Sequence, residues 1–371
     1  MKRKGKLLLA LGLMVLMGAG VAGGAWLRYG EAIGVLKALL NGSTGALLTD
    51  VSRADVQIRG AETHADYYVY EGLDAARAVL VFVPGLTPAG RDDTRVTAVA
   101  GVLARARFRV VVPQLPGAST FRTDEADNAV LELVLTDVSD DGGLPLVVVA
   151  ISYGQGPALI ALSDPELAEA LDTYVGLGGY YDALSVVRFT TTGAVGRETA
   201  QEILEPDPRA RWILLMANAA LVSSPLDRAT LTTLASQGLY DGPPDVMAIA
   251  TVMAGLQPDA HALLTFIANT DPARVEDLLA NLDPVLRDGV LAVSPSLHDL
   301  SPLEGKLLLI HGDADPIVPI DESRRLADAV EGTRLIVVPG FSHIDSEATG
   351  IMGQIAMIRA VTALLDTRAL P

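Results

Sequence analysis

Ser152 lies in the stretch VVVAISYGQG, residues 147–156, where an apolar run meets a serine set among small residues. A serine hydroxyl is a weak nucleophile unless it is exposed and a base stands within reach. A sharp strand-to-helix turn would expose it. Such a turn needs small residues two before and two after the serine; Ala150 and Gly154 fill those places, with Gly156 beyond. The start of the next helix would also favour negative charge developing there. The chemistry would be nucleophilic attack on a carbonyl. The same residues suit a plainer role, a serine that ends a buried strand and caps the next helix. The first flanking residue is alanine rather than glycine, so the stretch alone leaves both roles open.

Positioning such a serine requires a framework of strands and helices. AVLVFVPG, FRVVVPQL, LPLVVVAIS, TYVGLGG, KLLLIHG and TRLIVVPG are near-continuous apolar runs rich in Val, Ile and Leu. Strands buried on both faces have this pattern. Between them lie helical patterns: RVTAVAGVLARA, EADNAVLELVLTDV, GPALIALSDPELAEAL and DESRRLADAVEG. The alternation predicts an α/β fold, a parallel sheet wrapped by helices. ADVQIRG and ADYYVYEG alternate more strictly and predict an antiparallel hairpin ahead of it. From Asp182 to Ser301 the alternation stops. Alanine- and leucine-rich helical patterns, broken at EPDP and DGPP, predict a helical insertion between two sheet strands.

With Ser152 at the end of a buried strand, the chain resembles the α/β-hydrolase family over residues 53–366, the insertion excepted. Three further stretches carry the resemblance. IHGDADPIVPIDES has Gly312, Asp315, Val318 and Pro319 where the family's acid loop has Gly, Asp, Val and Pro, which implies Asp315 as the acid. Asp313 is a nearby rival, and a turn-forming aspartate would account for either. VVPGFSHIDS follows the last strand, where the family keeps its general base, which implies His343. The other histidines are His64 in the hairpin, His261 and His298 in the insertion, and His311, expected to be structural. The order Ser152, Asp315, His343 is the family's order of nucleophile, acid and base. VFVPGLTPAGRDD implies an oxyanion hole from the backbone N–H groups of Leu86 and Tyr153. The family often has His-Gly where this chain has Pro84-Gly85; a plain glycine turn would also explain Gly85.

The resemblance implies a mostly parallel central sheet flanked by helices, with a helical cap. Residues 53–181 and 302–371 would form the core, 182–301 the cap and 31–52 a linker. The expected activity is hydrolysis of carboxylic esters through an acyl-enzyme on Ser152, with no cofactor and no metal. A peptidase, thioesterase or acyltransferase on the same triad, or a non-catalytic binding protein of the same fold, are the alternatives. The cap stretches WILLMANAALV, VMAIATVMAGL and ALLTFIA are strongly apolar. Turned inward they would suit an acyl or lipid-like ester; otherwise they pack on the sheet and on each other.

Charge narrows the partners. The net charge is −17, although Lys2, Arg3, Lys4, Lys6 and Arg28 stand among residues 1–30 without an acid. The remaining body is therefore more acidic still, and nucleic-acid binding is not expected. The absence of cysteine excludes disulfides and thiolate chemistry. MKRKGK followed by LLLALGLMVLM and GAGVAGGA reads as a signal peptide or a membrane anchor within residues 1–30. Residues 7–27 would span about 31 Å as a helix, close to the ~30 Å of a bilayer core. The expectation is export, with the body periplasmic or outside, anchored through residues 7–27 if they are not cleaved.

Overall fold

A computed structural model of the chain describes residues 29–40, 50–139, 143–196, 202–342 and 350–369. The segment 7–27 and His343 lie outside them. Among the described residues, no helix is long and apolar enough to cross a membrane.

Residues 29–40 form helix α1. Strands β1 (Val51–Arg59) and β2 (His64–Gly72) make the antiparallel hairpin. Then come β3 (Ala78–Val83), α2 (Thr94–Arg105), β4 (Phe108–Pro113), α3 (Ala126–Ser139), β5 (Leu146–Ile151), α4 (Gln155–Ala161), α5 (Pro165–Ala170) and β6 (Leu171–Leu177). The insertion holds α6 (Ala183–Thr192), β7 (Ala194–Val195), β8 (Glu202–Ile203), α7 (Ala210–Asn218), α8 (Pro225–Tyr240), α9 (Val246–Met253), α10 (Pro258–Ala268), α11 (Val275–Ala280) and α12 (Pro284–Leu291). The chain ends with β9 (Leu307–Gly312), α13 (Asp321–Ala329), β10 (Arg334–Val338) and α14 (Ile351–Leu365).

All six long apolar runs become neighbours in one sheet, ordered β1-β2-β4-β3-β5-β6-β9-β10. From β4 to β10 every pairing is parallel; the hairpin joins antiparallel through β2. The period of two along each strand explains why these runs are apolar throughout. Val79, Val81 and Val83 join a core with Leu131 and Leu135 of α3 and Leu159 of α4. Leu80 and Phe82, one residue out of step, join the opposite core with Leu103 of α2, Leu364 of α14 and Ala32 of α1. Helix α1 is thus built into the core, and its Glu31 pairs with Arg368 at 2.6 Å.

Three elements differ from the sequence patterns. The single helix expected over 156–171 is two, because Asp164 accepts from the amides of Glu166 and Leu167 and starts a new helix at Pro165. The last run, β10, is not buried on both faces: it is the sheet edge, and Arg334 and Val337 are exposed. The insertion also contains strands, the two-residue pair β7–β8.

The insertion has its own core, built on Trp212, Leu215, Leu231, Leu263, Phe266 and Leu286. Much of its apolar sequence is spent there. Helix α9 fully buries no residue, and Val246 and Met247 are exposed. Where the insertion leaves the sheet, Asp182 caps α6, and the buried Glu322 of α13 accepts from the amides of Tyr181 and Asp182 at 3.0 and 2.8 Å. Arg325 bridges Glu322 and Asp182. Burial raises the Glu322 carboxyl above its ordinary range despite these partners.

Candidate active site

Strand β5 stops at Ile151, and Ser152 opens a tight helical turn, Ser152–Gly154, that leads into α4. Ser152 has φ of 51°, in the left-handed region. For a residue with a Cβ this costs about 1–2 kcal/mol and persists only where the surroundings fix it. The surroundings do so by crowding. A Cβ at Gly154 would stand 2.5 Å from the Pro84 carbonyl oxygen and 2.8 Å from that of Val83. A Cβ at Gly156 would run into the Tyr180 hydroxyl. Ala150 is fully buried within the sheet. Glycine at 154 and 156 is therefore a steric requirement of the packing around this turn.

The loop after β3 passes beside the serine: a Cβ built on Gly85 would be 3.3 Å from Ser152 Cβ and 3.8 Å from its Oγ. Leu86, Ser152 and Tyr153 line one cavity. Tyr153 sits in the first turn of the helical run, where backbone N–H groups have no acceptor within the helix. The residues with which sequence predicts an oxyanion hole thus flank the serine.

The acid loop reaches the same cavity through Ile317 and Val318. Asp315 is buried, and its Oδ1 accepts from the amides of Ile317 and Val318 at 2.9 and 3.0 Å. Its Oδ2 is 3.5 Å from His311 Nε2. His311 is fully buried and engaged at both nitrogens. Val318 O, 2.9 Å away, can only accept, so Nε2 carries a proton; Nδ1 is 2.7 Å from Ser323 Oγ. This arrangement suits a residue that braces the acid loop. Asp313 is exposed and accepts from the amide of Gly340 at 2.7 Å, which ties the loop after β10 to the end of β9. Gly312 allows that approach, since a Cβ there would collide with the carbonyl of Phe341. The chain is described to Ser342 across the end of β9; His343 comes next, outside the described residues. His64, His261 and His298 are exposed and do not line the cavity.

The cavity lies between sheet and insertion, with a volume of about 100 Å³. Val186, Val187, Ile213, Leu214 and Val290 form its insertion side, with Thr123, Thr190 and Asn218 as polar interruptions.

One charged group was not apparent as part of the site from sequence. Asp127 is fully buried and accepts from Gly117 N at 2.7 Å, Ala118 N at 3.0 Å and Tyr153 Oη at 2.9 Å. Burial pushes its carboxyl up to about 6, against the pull of those three donors. A signal existed: Asp127, Val130, Leu131, Val134, Leu135 and Val138 are all buried in α3, so the aspartate occupies the apolar stripe of its helix.

No protein of curated function matches the chain. Similar solved structures include an uncomplexed acylaminoacyl peptidase of Pyrococcus horikoshii, with 14% identity and a TM-score of 0.49, covering 88% of this chain and 42% of that one. The chain therefore spans about two-fifths of the peptidase's length. A brefeldin A esterase, described as a bacterial homologue of human hormone sensitive lipase, has 18% identity and a TM-score of 0.46, with 91% and 86% covered. Est1E from Butyrivibrio proteoclasticus has 11% identity and a TM-score of 0.43, with 84% and 98% covered. Residues 80–347, well over half the chain, match the model of the alpha/beta hydrolase family across the serine turn, the insertion and the acid loop, and the chain belongs to that family.

Proposed function

We propose that the protein is an exported serine hydrolase that cleaves carboxylic esters through an acyl-enzyme on Ser152. The observation that carries this reading is the left-handed Ser152 at a crowded strand-to-helix turn, beside the Gly85–Leu86 loop and open to an apolar cavity. A strand-end serine that merely capped a helix would need neither the strain nor the crowding.

In this mechanism His343 takes the Ser152 proton as Oγ bonds to the ester carbonyl carbon. The carbonyl oxygen becomes an oxyanion between the amides of Leu86 and Tyr153. The C–O bond to the alcohol breaks, and the histidine returns the proton to the departing oxygen. Water, deprotonated by the same base, then attacks the acyl carbon and frees Ser152. Asp315 holds the histidine in one tautomer and stabilises its cation.

In this reading the acyl group enters the cavity, whose volume of about 100 Å³ and open side fit a short chain better than a long one. The aliphatic lining favours an unbranched hydrocarbon chain over a charged one.

A fluorophosphonate probe tests the nucleophile. Ser152→Ala should abolish labelling and lower ester turnover on the order of 10⁶-fold. Hydrolysis at a tenth of the original rate in that variant would exclude Ser152. A panel of p-nitrophenyl esters beside peptide p-nitroanilides tests the bond, and faster cleavage of the amides would replace the esterase with a peptidase.

A further inference from the structure

We infer that Asp127 is a positioning residue that holds both arms of the oxyanion hole in register, an inference that rests on the serine-hydrolase reading. Its carboxylate lies at the end of two short chains of hydrogen bonds. One runs to the nucleophile turn: the Tyr153 hydroxyl donates to Oδ2 at 2.9 Å and accepts from the amide of Asp124 at 3.1 Å. The ring gripped in this way belongs to the residue whose own backbone N–H is one oxyanion donor. The other runs to the loop after β3: Gly117 N and Ala118 N donate to the carboxylate, and Ala118 O accepts from Thr87 N at 3.1 Å. Thr87 follows Leu86, whose N–H is the other donor.

The geometry leaves the network little slack. A Cβ at Gly117 would stand 2.8 Å from Asp127 Oδ2 and 2.6 Å from Asp124 Cβ, so the loop backbone presses directly on the carboxylate. Thr87 is further fixed by its hydroxyl, which donates to the buried Asp93 at 2.6 Å. Leu86 is thereby held between Gly85, which abuts Ser152, and Thr87, which is bonded to the Asp127 loop. On the other side Tyr153 follows a residue with a strained φ. Strained backbone relaxes unless its neighbours over-determine it, and the tethered phenol is one such restraint. All three groups around Asp127 are donors. An amide in its place would turn an N–H₂ toward one of them and break the set.

The test uses the full chain and two variants, Tyr153→Phe and Asp127→Asn. Ester hydrolysis is followed with p-nitrophenyl butyrate, and affinity with an alkyl trifluoromethyl ketone. Ser152 Oγ adds to the ketone carbonyl carbon, the proton passes to the base, and the resulting oxyanion occupies the same hole. Removal of a whole oxyanion donor costs about 10²–10³ in kcat, so misplacement should cost less. Tyr153→Phe should lower kcat about tenfold and weaken the ketone by a similar factor, with KM within twofold. Asp127→Asn should cost more, about a hundredfold, because both arms loosen. The double variant should be no worse than Asp127→Asn alone, as expected when one residue acts through the other. A purely structural role would lower the melting temperature and leave kcat and ketone affinity unchanged.

The inference is overturned if kcat and ketone affinity in Tyr153→Phe stay within twofold of the original, or if the loss falls on KM. Should Asp127→Asn fail to fold, Tyr153→Phe decides alone. A wild type that the fluorophosphonate labels at Ser152, with unchanged variants, refutes the role of Asp127 and leaves the hydrolase intact. A folded wild type that is not labelled refutes both.

Discussion

Asp127 shows how a single residue can be both a liability and a device. It is the one acidic side chain on an otherwise apolar helix stripe, fully buried, with Asp124 nearby raising its proton affinity further. Its carboxyl is pushed up to about 6 from an ordinary 3.8. The sign of the linkage follows. Between pH 4 and 6 the native state holds a proton that the unfolded chain has released, so stability falls as pH rises through that window. A rise of that size in proton affinity corresponds to about 3 kcal/mol. Denaturant unfolding of the wild type and of Asp127→Asn at pH 4 and pH 7 should therefore give a difference in stability that is larger at pH 4 by about that amount. Equal differences at both pH values would show that Asp127 does not titrate there. The residue scale is also where sequence reading stopped short. Asp313 and Asp315 are two apart in one loop, and only burial separates the exposed loop tie from the carboxylate enclosed beside His311. The phenol of Tyr153 escaped notice because the role expected of that residue was its backbone amide.

At the scale of elements, the six parallel strands were legible because each is a short apolar run bounded by glycine, proline or charge, and a parallel sheet demands that pattern. What escaped were features that pattern does not encode. The apolar period runs straight through Pro165, so α4 and α5 read as one helix until the Asp164 cap divides them. Strands β7 and β8 are two residues each, too short for any periodicity. The junction of sheet and insertion was likewise invisible, since it depends on Glu322, 140 residues away from the amide of Asp182. Glu322→Ala should leave two half-buried amides and Arg325 without that acceptor and destabilise the fold by about 3 kcal/mol in urea titrations. Glu322→Gln retains an oxygen for the amides and should recover about half of the loss. A cost below about 1 kcal/mol for the alanine variant would mean that Glu322 is not what fixes the junction of insertion and sheet.

For the molecule as a whole, the decisive arrangement is a second hydrophobic core resting over the strand ends of the first. Strongly apolar insertion sequence was legible; its division between self-packing and the cavity was not. Trp212 and Leu215 turn into the insertion core, while Ile213 and Leu214, on the same helix, line the cavity. Helical period places neighbours in sequence on different faces, so one apolar run serves both purposes. If cavity volume sets the acyl length, trimming its wall should lengthen the preferred acyl chain. Leu214→Ala removes a half-buried side chain from that wall, at the margin of the insertion core rather than within it. Each methylene newly admitted gains about 0.8 kcal/mol on burial. Two methylenes then amount to about 1.6 kcal/mol, more than tenfold in kcat/KM. The ratio of kcat/KM for p-nitrophenyl hexanoate over butyrate should rise by roughly that factor in Leu214→Ala, with butyrate turnover itself little changed. An unchanged ratio in a folded variant would show that the acyl group lies elsewhere, along the open side of Ser152 rather than under the insertion.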